Sequence, residues 1–154
     1  MIDSAAGLFR ILSEYRSIAV VGLSAKWHRP SYFAAKYLLA AGYKIYPVNP
    51  SCDEILGQQC YPDLSSLPHT PEVVDCFRRV EEMPALAKQA AEVGARVFWM
   101  QLGVCNMEAA KIAEDAGLET VGDRCMKIEH ARLFGGLNYA GVNTGIISPK
   151  RRRI

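Results

Sequence analysis

The sequence has no long apolar run. Nowhere in its 154 residues do apolar residues approach the ~18 in a row that a membrane-spanning helix needs. The first segment, Met1 to Arg16, mixes charged and apolar residues and lacks the basic-then-apolar order of a secretory signal. We therefore expect a cytoplasmic protein without a membrane partner.

Cysteines are few and irregularly spaced. Their number is odd and no two form a C-x-x-C pair, which excludes a zinc site and a disulfide framework of the usual spacing. The three histidines, His28, His69 and His130, show no ligand spacing either. We expect reduced thiols and no bound metal. The five cysteines are Cys52, Cys60, Cys76, Cys105 and Cys125.

Three well-known motifs are missing from the chain. G-x-G-x-x-G, G-x-x-x-x-G-K-[ST] and G-x-S-x-G do not occur. Their absence argues against a standard dehydrogenase loop, a triphosphate-binding loop and a hydrolase nucleophile elbow. Neither Cys105 nor Cys125 has an evident base beside it in the sequence, so we expect the chain not to be an enzyme.

A strong net charge is also missing, since the total is only +2. Residues 150–153 carry four of the 18 basic residues, which leaves 14 basic against 16 acidic residues in the body. The rest of the chain therefore lacks the excess of basic residues that a nucleic-acid-binding domain needs. The tail remains an alternative nucleic-acid or partner-binding element, but four basic residues make a weak patch, and we expect a solvated tail.

One pattern that is present decides the fold class. A helix-like stretch, a glycine and a short apolar run follow one another three times. The glycine suits a helix end, because glycine takes positive φ without steric cost. The helix-like stretches cover 31–41, 84–93 and 106–116, and the apolar runs cover 44–48, 96–100 and 118–121.

Two further apolar runs, 17–21 and 73–77, complete a set of five strands. Strands separated by helices form right-handed crossovers in a parallel sheet. We predict a single α/β domain over 1–154, a Rossmann-like open parallel five-stranded sheet with helices on both faces and a basic tail at 150–154. The expected strand order is 3-2-1-4-5, and segment 52–68 is expected to be an irregular connection.

Helical spacing also assigns inward faces. A first helix is predicted from Ser4 to Leu12, capped by the Ser4 side chain. Its inward residues are Leu8, Ile11 and Leu12. In the next helix the predicted inward residues are Phe33, Tyr37, Leu38 and Ala41.

In an open parallel sheet, ligands bind outside the carboxyl ends of the strands. After the first strand, Gly22 allows a tight turn, Ser24 offers a hydroxyl and an N–H, and Lys26 and Arg29 add cations. Pro30 then suits the first turn of a helix, whose positive end favours phosphate. A valine at Gly22 is expected to abolish binding while leaving the fold mostly intact.

The next strand ends differ from those of an NAD-binding protein. Asn49 follows Val48 where such proteins usually place an acidic residue for the ribose hydroxyl. The lack of that carboxylate favours a ribose that carries phosphate. Phe77 and Arg78 follow the third strand. After the fourth strand, Gln101 comes two residues before a glycine, which allows a ligand to approach the backbone closely. That glycine is Gly103.

The ordered set of these segments resembles the CoA-binding domain family, whose stand-alone members are similar to the N-terminal domain of the succinyl-CoA synthetase α subunit. The resemblance runs from about Ile18 to Glu129. The segments that carry it are 20–24 (VVGLS), 46–50 (YPVNP), 55–57 (ILG), 61–64 (YPDL), 75–78 (DCFR), 100–103 (MQLG) and 123–127 (DRCMK).

The resemblance implies a domain that holds coenzyme A, or an acyl-CoA, through its 3′-phospho-ADP part. The synthetase subunit continues into a domain with a catalytic histidine, which this chain does not include, so no ligase activity is expected from the chain alone. An NAD(P)-linked oxidoreductase is the alternative, and a homo-oligomer stays open. The implied contacts are Gly22 and Ser24 for the diphosphate, Val48 and Asn49 for adenosine, Phe77 and Arg78 for the adenine side, Gln101 and Gly103 for pantetheine, and Arg29 for a phosphate.

Overall fold

The computed structural model describes residues 1–135, so the predicted basic tail at 150–154 lies outside the described residues. This part of the chain forms five α-helices, two short 3-10 helices (Leu64–Ser66 and Val80–Glu82) and seven strands. The helices are α1 (Ala5–Glu14), α2 (Pro30–Ala40), α3 (Met83–Val93), α4 (Met107–Asp115) and α5 (Met126–Phe134). The strands are β1 (Ser17–Val21), β2 (Lys44–Val48), β3 (Glu54–Ile55), β4 (Gln58–Gln59), β5 (Val73–Cys76), β6 (Val97–Met100) and β7 (Glu119–Val121).

The predicted fold class is confirmed. Five parallel strands form one open sheet in the order β2-β1-β5-β6-β7. Side chains alternate between its faces, so each face buries its own apolar cluster. Residues of α1, α2 and α5 pack with Ile18, Val20 and Trp99 on one face, and residues of α3 and α4 pack with Val21 and Met100 on the other.

The predicted strand order 3-2-1-4-5 is wrong, because β5, the third predicted strand, pairs with β1 rather than with the outer edge of β2. That outer edge is already taken. The Asn49 N–H donates to the Tyr61 carbonyl at 2.9 Å, and the Tyr61 N–H donates to the Pro47 carbonyl at 3.0 Å. The connection 49–72, which includes the β3–β4 hairpin, therefore crosses to the free edge of β1.

The first helix forms as predicted, with a two-residue extension. The Ser4 Oγ accepts a hydrogen bond from the Gly7 N–H at 3.0 Å, which satisfies one of the free donors of the first turn. Leu8, Ile11 and Leu12 are buried. The local sequence thus determines this helix through its cap and its apolar stripe.

The inward face predicted for α2 is partly wrong. Leu38 is buried, but Phe33 is 47% exposed, and Ala34 and Ala35 take the buried positions. Small side chains let the helix lie close to the sheet, which turns the phenylalanine toward the carboxyl edge of the strands. Helix α5 was not predicted at all; its cap residue, Cys125, makes no capping hydrogen bond, so the usual start signal is absent.

A carboxyl group lies inside the core. Asp75 is in β5, is completely buried, and has no hydrogen bond to either oxygen within the described part of the chain. Burial raises the pKa of Asp75 well above its ordinary value. The folded chain therefore holds this group as a neutral acid at a pH where the unfolded chain ionises it.

Asp75→Asn should increase stability at pH 7, because the wild-type unfolded chain gains free energy by ionising Asp75 and the folded chain does not. Below the ordinary pKa of 3.8, Asp75 is protonated in both the folded and the unfolded parent, and its ionisation does not lower the free energy of unfolding. As pH rises from there toward the raised pKa, the unfolded chain ionises and the parent loses stability. The difference between variant and parent should thus shrink as pH falls toward 4. Urea unfolding at both pH values measures it, with the exposed Asp53→Asn as control. A variant less stable than the parent at pH 7 would contradict this account.

Candidate functional site

Two clefts open at the carboxyl edge of the sheet, where the loops after β1, β2, β5 and β6 meet. The first cleft has a volume of about 370 Å³ and the second about 590 Å³. The first cleft is lined by Val21, Gly22, Ser24, Val48, Asn49, Pro50, Pro62, Asp63, Leu64, Arg78, Leu86 and Gln89. The second is lined by His28, Pro30, Phe33, Phe77, Arg78, Gln101, Leu102, Val104, Cys125, Lys127 and Ile128.

Seven of the ten predicted site residues line these clefts. Lys26, Arg29 and Gly103 line neither cleft. Lys26 and Arg29 are exposed on the loop before α2, and the Gly103 N–H donates to Asp123 Oδ1 at 2.7 Å. The residues brought together in the first cleft are Gly22, Ser24, Val48, Asn49 and Arg78, and those in the second are Phe77, Arg78 and Gln101.

Asn49 holds two loops together. Its Nδ2 donates to the Leu23 carbonyl at 2.8 Å, and its Oδ1 accepts from the Ser51 N–H at 2.8 Å. An aspartate has no donor for Leu23, so the amide ties the loop after β1 to the end of β2 in a way that a carboxylate cannot. The residue type at this position thus has a structural reason beside any ligand contact.

Ser24 is also occupied within the protein. Its N–H donates to Ser31 Oγ at 3.0 Å, and its Oγ accepts from the Lys26 N–H at 3.1 Å. The backbone donor expected to face a phosphate is therefore already bonded. The hydroxyl proton of Ser24 is what this residue has left to donate to a ligand.

Gly22 makes a close approach, but to the protein itself. Its φ is +85°, and a Cβ built on it would lie 2.4 Å from the carbonyl oxygen of Phe77. The Phe77 N–H in turn donates to the Val21 carbonyl at 2.8 Å. A side chain at Gly22 would push the loops after β1 and β5 apart, so the expectation that Gly22→Val leaves the fold mostly intact is wrong.

Arg78 belongs to both clefts. Its Nε donates a hydrogen bond to Glu82 Oε1 at 3.0 Å, and its Nη2 lies 2.9 Å from the same oxygen. Partial burial acts to raise the pKa of Glu82, but hydrogen bonding and charge from Arg78 outweigh it and the pKa is lowered. Glu82 thus stays ionised and holds Arg78 in place, while the remaining guanidinium donors are available to an anion.

Gln101 forms part of the wall of the second cleft and is only 6% exposed. Its Oε1 is buried and accepts no hydrogen bond among residues 1–135. Buried polar groups normally find partners, so an unpaired acceptor beside a cleft points to a donor supplied by a ligand.

Sequence reasoning missed several lining residues. Asp63 reaches the first cleft from the connection after β4, and its Oδ1 accepts from Ser65 Oγ at 2.9 Å and the Ser66 N–H at 3.0 Å. These hydrogen bonds lower the pKa of Asp63. Asp63 lies well beyond the end of the second strand in the chain, so no local pattern places it at this edge. Cys125 and Lys127 were within a segment of the family resemblance, 123–127, but had no assigned role because α5 was not predicted.

Other kinds of site find no support in the part of the chain that the structure describes. Histidine, cysteine and acidic side chains do not gather there in a group of three that could hold a metal ion. None of the described helices has the length and apolar character required to cross a membrane.

The open parallel sheet, with its clefts at the carboxyl edge, defines a Rossmann-like ligand-binding domain. The family model described as CoA binding domain matches residues 16–131, and the chain belongs to this family.

Similar proteins agree with this assignment. The YneT protein of Bacillus subtilis is 39% identical over 128 residues, which are 83% of this chain and 95% of YneT. A hypothetical protein of Pyrococcus horikoshii with a solved structure is 43% identical with a TM-score of 0.84, over 86% of this chain and 94% of that chain. The ADP-forming acetate–CoA ligase II of Archaeoglobus fulgidus is 30% identical over 83 residues, 53% of this chain but only 12% of the ligase.

Gly22→Ala should destabilise the fold by more than Gly103→Ala. Both glycines have a φ of +85°, but a Cβ at Gly103 would meet no atom of the described residues within 4 Å. Gly103→Ala therefore carries only the cost of a left-handed alanine, on the order of 1–2 kcal/mol. Gly22→Ala adds the clash with Phe77. Urea unfolding of the two variants measures the difference, and equal losses would show that the close approach relaxes without cost.

Proposed function

We propose that this chain binds coenzyme A or an acyl-CoA, with the 3′-phospho-ADP part in the first cleft and the pantetheine arm in the second. The observation that carries the proposal is the position of Arg78, which lines both clefts. Coenzyme A has its diphosphate between adenosine and pantetheine, so a guanidinium at the junction of the clefts matches the charge of the ligand.

The linings of the two clefts suit these two parts. The first cleft presents Ser24, Asn49 and Asp63, whose hydroxyl, amide and carboxylate suit the hydroxyls and ring nitrogens of adenosine. The Oδ2 of Asp63 accepts no hydrogen bond from Ser65 or Ser66, which both use Oδ1. It is therefore a suitable acceptor for a donor of the adenine ring, such as its exocyclic amine.

The second cleft is mostly apolar, with Phe33, Phe77 and Ile128 among its lining residues. A pantetheine arm combines short alkyl segments with two amide groups. The apolar walls suit the alkyl segments, and the unpaired Oε1 of Gln101 suits an amide N–H of the arm. An acyl group beyond the sulfur would continue along the same apolar surface.

Cations near the clefts support recognition of the phosphates. Lys26 and Arg29 are exposed on the loop between β1 and α2, where His28 and Pro30 line the second cleft, and we assign them to a phosphate of the ligand. Gly103, on the loop after β6, we assign to the pantetheine side of the site. These roles remain proposals for the bound state, since none of the three residues lines a cleft.

The proposal is one of binding without catalysis by the chain alone. Similarity to the acetate–CoA ligase covers 12% of that enzyme, so ligase chemistry is not transferred with it. We further propose one domain over residues 1–154 and a cytoplasmic location, which agrees with five free cysteines. Oxidoreductase activity is not favoured by the family match.

Isothermal titration with CoA, dephospho-CoA and NADH tests the ligand class. CoA should bind most tightly, and loss of the 3′-phosphate should weaken binding by roughly 10- to 150-fold, the effect of one charge-assisted contact. NADH should bind more weakly than either. Equal affinities for CoA and dephospho-CoA would remove the 3′-phosphate from the proposal, and preference for NADH would favour the oxidoreductase alternative.

Arg78→Ala should weaken CoA binding by roughly 10- to 150-fold, because a charge-assisted contact to the diphosphate is lost. Arg79→Ala is the matched control: Arg79 carries the same charge, also pairs with Glu82, and is 81% exposed outside both clefts. The deficit of Arg78→Ala should shrink in high salt. Equal effects of the two substitutions would place the diphosphate elsewhere.

A further inference from the structure

The second cleft contains a thiol. Cys125 lines it, is half-buried, and lies directly before the first turn of α5. The other cysteines are placed differently. Cys60 and Cys76 are buried, and burial raises the pKa of both thiols, while Cys52 is half-buried and Cys105 exposed, both outside the clefts. Among the five, Cys125 alone lines either of the two clefts.

A second feature points to a ligand in this cleft. Gln101 is more than nine-tenths buried in the wall that Cys125 shares, and its Oε1 accepts no hydrogen bond among the described residues. The cost of an unpaired buried acceptor is removed when a ligand donates to it. Cys125 therefore lies beside a place where a polar donor of a ligand is expected, rather than on an ordinary surface.

We propose that Cys125 captures the sulfur end of the bound ligand as a mixed disulfide, which rests on the function proposed above. With adenosine in the first cleft and the diphosphate at Arg78, the pantetheine arm enters the second cleft. That arm ends in sulfur. The cleft thus brings the ligand's sulfur to the same chamber as the Sγ of Cys125.

The chemical step is thiol–disulfide exchange, and its oxidant is the symmetrical disulfide of coenzyme A. The Cys125 thiolate attacks one sulfur of that disulfide; the bond between the two ligand sulfurs breaks, and a bond between Sγ and one of them forms. The second CoA leaves as a thiolate and takes up the proton that Cys125 released. Cys125 is oxidised and one CoA is reduced.

The surroundings favour this exchange. Lys127 lines the same cleft. Cys125 is the cap residue of α5, so the free backbone N–H groups of the first turn of that helix lie on its side. Both favour negative charge, which passes from the attacking sulfur to the leaving sulfur during the step. Binding of the nucleotide part also turns a collision between two molecules into a reaction within one complex.

The test is to incubate the reduced protein with CoA disulfide and follow it by intact mass and peptide mapping. We expect one CoA adduct, located on Cys125. Cys105→Ser, which removes the exposed thiol outside the clefts, should be labelled as the parent is. Cys125→Ser and Cys125→Ala should lose the adduct, with circular dichroism to show that each is folded. An adduct mainly on Cys105, or one that persists in both folded Cys125 variants, overturns the proposal.

Glutathione disulfide at the same concentration distinguishes directed from random exchange. It lacks the nucleotide part, so its reaction with the parent should be slower by at least about tenfold, the gain expected from holding the reacting groups together. Excess 3′-phospho-ADP, which has the nucleotide part but no thiol that could reduce a disulfide, should slow labelling by CoA disulfide through competition. Equal rates for the two disulfides would show that Cys125 is merely an accessible thiol.

Titration of the reduced parent with reduced CoA tells the two possible failures apart. If CoA binds but CoA disulfide leaves Cys125 unmodified, the capture proposal is wrong and the proposed binding function stands. If CoA does not bind, the binding function and the capture proposal fall together.

Discussion

The common direction of the five strands is the constraint on which the site depends. Parallel strands end at one edge, so segments far apart in the chain deliver their loops to one place. The contact between Gly22 and the Phe77 carbonyl then joins the loops after the neighbouring strands β1 and β5. Gly22 lines the first cleft and Phe77 the second, so this contact separates the two clefts, and Arg78 reaches both.

Many polar groups at this edge already form hydrogen bonds within the protein. Asn49 bonds to Leu23, and Ser24 bonds to Ser31, so the loops after β1 and β2 are fixed by side chains as well as by the sheet. Among residues 1–135, what remains for a ligand is a small set of groups, chiefly the spare donors of Arg78 and the acceptor of Gln101. A site with fixed loops loses little conformational entropy on binding.

Local patterns predicted the elements of the fold well, and the relation between elements less well. The cap at Ser4 and the glycines after α2, α3 and α4 act within a few residues, so they are visible in the sequence; those glycines do have positive φ. Strand order depends instead on Tyr61 occupying the edge of β2. The exposure of Phe33 depends on how closely α2 approaches the sheet, which spacing alone does not determine.

For the site, the sequence by itself determined which strand ends carry polar and cationic residues and, through an ordered set of short segments, the family. Only the tertiary structure decided which of those side chains face a cleft and which are used in loop contacts. It alone brought Asp63 and Cys125 to the clefts, from segments whose structure the sequence did not reveal. The reason is physical: caps, glycines and periodicity act between near neighbours in the chain, whereas a cleft is enclosed by residues whose proximity exists only after the sheet has formed.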